Sequence, residues 1–188
     1  PHHFLFALFF AASINGFSQI SQIDVKHYRI ELHVSDASDQ IQVQEEIEFE
    51  HIETDQQIIF NLSCRDDSGK GMQIKGLKLN GAKTVFRHHN DSLYIDSNKP
   101  KDHLQKLELS FEGIPKDGLI IGKNKYGSRT FFGDNWPTRA QNWFACNDHL
   151  SDKATVEYVI EAPKHYDAVA NGQLLSIEKN GKSKTHHY

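Results

Sequence analysis

An all-β fold, with antiparallel strands arranged as a saddle or sandwich of sheets, is what this chain predicts, and three features predict it. Apolar residues recur with period two along one segment after another, the spacing of a half-buried strand. Gly, Asn and Asp punctuate those segments at short intervals, as hairpin turns require. No stretch keeps a 3.6-residue period over three turns, so no helix longer than about three turns is expected.

The elements follow in order. Tyr28, Ile30, Leu32 and Val34 alternate with Arg29, Glu31 and His33, which predicts a first strand. Ile41, Val43, Glu45, Ile47 and Phe49 share one face of a second, with residues 35–39 as the turn between. Residues 57–62 form a third run, 64–71 a polar loop, and 72–79 the next strand. Asn80-Gly81 signals a type I′ hairpin turn, so 82–87 should return beside it. Strands are expected at 93–95 and at 104–111, the latter with Leu107, Leu109 and Phe111 on one face. Shorter runs at 119–121 and 130–132 flank a Gly-containing turn. Runs at 155–162, 168–170 and 173–178 follow, then a turn at Asn180-Gly181 and a last strand over 183–188.

A chain of 188 residues can bury a core of its own without disulfide or metal staples. Its 38% hydrophobic and 24% charged content, with mean hydropathy −0.59, describes an ordinary globular domain. Net charge is −4 with acids and bases interleaved, so neither a nucleic-acid stripe nor a polybasic membrane patch is expected. Residues 4–12 form an apolar run too short to span a bilayer, which takes about 20 residues. Small residues at Gly16 and Ser18 precede Gln19 in the manner of a cleavage site. The expectation is a signal peptide over 1–18, export to the periplasm or outside the cell without a stable membrane anchor, and one domain over 20–188. A strand that starts after the Asn180-Gly181 turn and stops at Tyr188 suggests a piece of a longer protein.

The densest segment runs Gly133-Asp134-Asn135-Trp136-Pro137-Thr138-Arg139-Ala140-Gln141-Asn142-Trp143-Phe144-Ala145-Cys146-Asn147-Asp148, followed by Ser151-Asp152-Lys153-Ala154-Thr155. It holds both tryptophans, and a loop this costly to order is expected to be shaped for a purpose. Its pattern N-W-P-x-R-A, then W-F-x-C-x-D and D-K-A-T, resembles the end of the N-terminal domain of M1-family zinc aminopeptidases. Val169-Ala170-Asn171-Gly172, after Pro163 and Tyr166, adds to the likeness. The resemblance spans residues 24–188 and is specific over 130–172.

The resemblance implies the saddle-like β domain that caps one side of a catalytic cleft and receives a peptide's N-terminus, with the catalytic domain of the same polypeptide as partner. Zinc would belong to that other domain. A His-Glu-x-x-His pair of ligands on a helix and a Gly-x-Met-Glu-Asn loop do not occur here, so these residues alone are not expected to hydrolyse peptides. In the family a Glu or Gln of this loop helps hold the substrate's amine; here Trp136 stands at that position, and Asp134 is the nearest carboxylate. Asp134, Asn135, Trp136 and Arg139 are therefore the candidate substrate-binding residues. Asp134 serves as an amine acceptor or else as the cap of the turn before Pro137, and Trp136 and Trp143 are expected mainly as core aromatics.

Other constellations are weak. The pairs His88-His89 and His186-His187 point to opposite faces of a strand, so neither is expected to close on one metal. Cys146 matches a structural position of the family, and whether it pairs with Cys64 is open. The rival function is a stand-alone β-sandwich module binding carbohydrate or protein, with exposed Trp136 and Trp143 as its platform.

Overall fold

The computed structural model describes residues 23–52, 57–96 and 103–188. The leader expected over 1–18 lies outside them. Thirteen strands are found among the described residues: β1 (Ile23–His33), β2 (Ile41–His51), β3 (Ile58–Asn61), β4 (Gly71–Leu79), β5 (Ala82–Lys83), β6 (Phe86–His89), β7 (Ser92–Ile95), β8 (Leu104–Ile114), β9 (Leu119–Lys123), β10 (Arg129–Gly133), β11 (Thr155–Pro163), β12 (Ser176–Asn180) and β13 (Ser183–His187). The helical content described is a single 3₁₀ turn, Ala140–Asn142.

Eight strands form the main sheet in the order β12-β13-β11-β1-β2-β8-β4-β5. A three-stranded sheet, β3-β7-β6, and a β9-β10 hairpin complete the architecture. Alternation explains the burial. On β2, Ile41, Val43, Glu45, Ile47 and Phe49 point inward while Gln42 and Gln44 are exposed, and β8 matches this with Leu107, Leu109 and Phe111. The small sheet lays Ile58, Phe60, Leu93 and Ile95 against that face, and the rings of Phe49 and Phe60 meet edge-on at 5.3 Å. Full burial of each such side chain contributes about 1.5–3 kcal/mol, so the two inner faces hold the sheets together.

Three expectations need adjustment. The main sheet is mixed, because β11 runs parallel to β1, His27 lying opposite Thr155 and His33 opposite Glu161. Period-two patterning carries no information on direction. A parallel neighbour needs a long connection, and here residues 34–154, which carry β2 to β10, lie between the two strands in sequence. The return segment 82–87 is not one strand. Its first residues pair with β4, and the chain then leaves for the small sheet as β6, where Phe86 packs against the core. Residues 168–170 form no strand at all.

The turn chemistry is as the sequence implies. Asn80 (φ 53°) and Gly81 (φ 78°) occupy the left-handed region that a type I′ turn demands. A second left-handed pair, Asn90 and Asp91, joins β6 to β7. No helix among the described residues is long and apolar enough to cross a membrane.

Candidate functional site

The loop after β10 is built on the end of the β9-β10 hairpin. The Asp134 N–H donates to the carbonyl of Gly118 at 2.7 Å, which extends the ladder by one rung. Gly118 has φ 74°, and a Cβ there would lie 2.2 Å from the Arg139 carbonyl oxygen. The hairpin and the loop thus touch backbone to backbone. Beyond Pro137 the chain turns back sharply, with Thr138 at φ 53° and the Arg139 N–H donating to the Asn135 carbonyl at 3.1 Å. A β-branched residue in the left-handed region is strained, a state that persists when surrounding contacts enforce it.

Arg139 supplies those contacts. Its Nε and Nη2 donate to the carbonyl of Trp136 at 2.8 and 2.6 Å, and Nη2 also reaches Asp134 Oδ2 at 2.8 Å. On its other side, Nη1 lies 3.6 Å from Asp117 Oδ1. One guanidinium therefore faces two carboxylates, and the three groups together carry net negative charge. The Asp134 carboxylate closes the loop through Arg139, a different contact from the turn cap weighed from the sequence.

Asn135 turns the other way. Its side-chain oxygen accepts from the indole Nε1–H of Trp143 at 2.8 Å. Trp143 is buried, edge-on to Phe144, and the 3₁₀ turn before it carries Asn142, whose amide donates to the Arg139 carbonyl at 3.0 Å. The expectation for the tryptophans is thus half met. Trp143 is core, whereas Trp136, on the turn before Thr138, is 68% exposed. The two rings do not make the shared exposed platform that a carbohydrate-type module would use.

Asn135 and Trp143 line one wall of a groove of about 570 Å³, a volume within the range of ligand clefts. Phe132 and Gly133 of the hairpin continue that wall, Tyr158 and Ile160 of β11 form the floor, and residues 166–171 face them. Phe132 and Val169 at its margin are exposed apolar side chains. Four candidate residues therefore divide into an acidic turn (Asp134 and Arg139), an exposed ring (Trp136) and a groove wall (Asn135).

The rest of the segment is anchoring. Cys146 is buried and exchanges backbone bonds with Asn61 in both directions, at 2.7 and 3.0 Å. Burial, and after it the charge of Asp148, pushes its thiol well above the usual range. Both cysteines are free thiols. The Asp152 carboxylate accepts from the Val25 N–H at 3.2 and 3.3 Å and from the Asn147 side-chain amide, fastening the crossover to β1. Sequence reasoning missed Asp152 and also Glu45, whose side chain binds this segment from beneath. The second was visible as a carboxylate standing in the apolar stripe of β2.

Among the described residues no three His, Cys, Asp or Glu side chains are grouped so as to hold a metal ion. His88 is bonded to the Leu62 carbonyl, and His187 to Glu157 beside Arg29, a cation that would oppose a metal. The described residues thus offer no donor set for zinc, and no chemical step is routed through one here.

Residues 24–188 match the family described as the Peptidase M1 N-terminal domain. The chain belongs to that family. The fold agrees with solved M1 peptidases. The M1 zinc metallopeptidase from Deinococcus radiodurans superposes with a TM-score of 0.75 at 20% identity, over 89% of this chain and 38% of that one. A mutant of that enzyme bound to a Tyr-Ser-Ala substrate gives 0.73 at 18% identity, over 89% and 39%. A two-domain M1 zinc metallopeptidase mutant bound to L-arginine gives the same values. At such identity the likeness speaks for the fold, and the chain spans less than two-fifths of those peptidases. Comparison with curated protein sequences returned no match. The M1 N-terminal domain thus carries its signature segment as the crossover between the hairpin and β11, next to the groove.

Proposed function

We propose that this M1 N-terminal domain serves an exported zinc-dependent aminopeptidase, where it caps one side of the catalytic cleft and helps receive the free N-terminus of a peptide. The observation that carries the reading is the groove beside residues 134–139, with exposed apolar side chains at its margin, in a chain of this family. An exposed apolar rim around a concave site is what a second domain would cover. The acidic turn supplies the rest. A desolvated ammonium needs acceptors and opposite charge, and Asp134, Asp117 and the Trp136 carbonyl gather both around one guanidinium. Zinc and the groups that attack the peptide bond would come from the remainder of the polypeptide. Export rests on the apolar run at residues 4–12.

Kinetics of the full-length enzyme test this. Asp134→Asn is expected to raise KM for peptides with a free amine, by the roughly 1–3 kcal/mol of a lost charged hydrogen bond. Stability should change little, because the pair with Arg139 is about one-third exposed and solvent-screened pairs contribute about 0–1 kcal/mol. An unchanged KM overturns the amine role of this turn.

A further inference from the structure

Glu45 has no place in the reading above, yet it is the most unusual side chain in the core. It occupies the inward position between Val43 and Ile47 on β2, is 1% exposed, and has Ile30 and Leu109 as its cross-strand neighbours. Its Oε2 accepts from the N–H of Ala145 at 2.9 Å, a contact 100 residues away in sequence. Oε1 has no hydrogen-bond partner among the described residues. The titratable groups acting around it are Tyr28 on β1, Tyr158 on β11 and Cys146 on the crossover, each of which ionises to an anion. A carboxylate in such surroundings is strongly disfavoured. Burial pushes the Glu45 carboxyl well above the usual carboxylate range, and the Ala145 N–H offsets that only in part.

Ala145 sits in the middle of the tie between core and site. Two residues earlier, Trp143 donates to Asn135 in the groove wall; two residues later, the Asn147 N–H donates to the Tyr28 hydroxyl at 3.1 Å. The hold on Ala145 is therefore one of the ties on the 134–139 loop, beside the hairpin contact at Gly118. We propose that Glu45 is a positioning residue for that loop, held as a neutral carboxylic acid, and that release of its proton to water loosens the 143–147 segment. The inference is independent of the peptidase reading, since it concerns the loop's setting and not what the loop binds.

The sign follows from proton linkage. The closed state keeps the proton, whereas an opened state hydrates the carboxyl and gives it an ordinary acidity near pH 4.3. Above that pH, and until the closed state itself ionises, each pH unit favours opening about tenfold. Stability contributed by this closure is present at low pH and lost as pH rises.

Amide hydrogen exchange tests it in the whole chain, over about pH 5–8, with wild type, Glu45→Gln and Glu45→Ala. Protection of residues 143–147, after correction for the intrinsic exchange rate, should fall as pH rises in wild type, by up to about tenfold per pH unit, and level off once the closed state ionises. Glu45→Gln keeps an acceptor for Ala145 but cannot ionise, so its protection should not vary with pH. Glu45→Ala should lose protection at every pH. The wild-type profile needs no variant to fold. Flat wild-type protection, or a Gln variant with the wild-type slope, overturns the proposal. So does an equal fall in β8, which would make Glu45 a guardian of the entire fold instead of this loop.

Discussion

The indole N–H of Trp143 donates to the side-chain oxygen of Asn135 at 2.8 Å, so a buried ring is pinned to the wall of the groove. Removing the acceptor strands a donor inside the core. Asn135→Ala is expected to cost about 1–3 kcal/mol, the penalty for a buried polar group left unpaired. Urea denaturation followed by far-UV circular dichroism reads this, with a lowered midpoint at unchanged slope. An unchanged midpoint would mean that the bond contributes nothing.

Trp136 behaves differently. Its ring is exposed and its backbone carbonyl, which any residue retains, makes the bonds to Arg139. Trp136→Ala should leave stability within about 0.5 kcal/mol, as exposed substitutions do. Because Trp143 is the other tryptophan of the chain, emission of this variant reports a buried indole alone and should be blue-shifted relative to wild type. A large drop in melting temperature would show that the ring packs after all.

Gly118 is the hinge of the hairpin against the loop. Gly118→Ala demands a left-handed backbone from an L residue, which costs about 1–2 kcal/mol, and drives a Cβ to 2.2 Å from the Arg139 carbonyl. The expected loss is about 2 kcal/mol or more in the same denaturation experiment. A wild-type midpoint would place the loop farther from the hairpin than the structure has it.

The resemblance led to the right family and the right segment, and the patterning led to the strands; the side-chain assignments inside the segment fared unevenly. The ring of Trp136 was expected in the core, because a tryptophan among aromatics ordinarily packs. The structure leaves it exposed on a tight turn that has Thr138 at positive φ, a conformation the residue names do not reveal. Asp134 was recognisable as the carboxylate near the amine position, but its pairing with Arg139, five residues on, depends on that same tight turn.

Period-two patterning, Gly and Asn turns and the W-P-x-R-A…C-x-D segment are local properties, and they determined by themselves that the chain is a β domain of this family. Strand direction and strand partners are not local. β1 and β11 lie side by side and parallel although β2 to β10 stand between them in sequence, and nothing in either strand's alternation encodes that. The groove likewise exists only once the hairpin, β11 and residues 166–171 meet. Glu45 shows the division within one residue. The sequence marked it as an acid in an apolar stripe, whereas its bond to Ala145 and its isolation from positive charge arise from burial, which the tertiary structure alone decides.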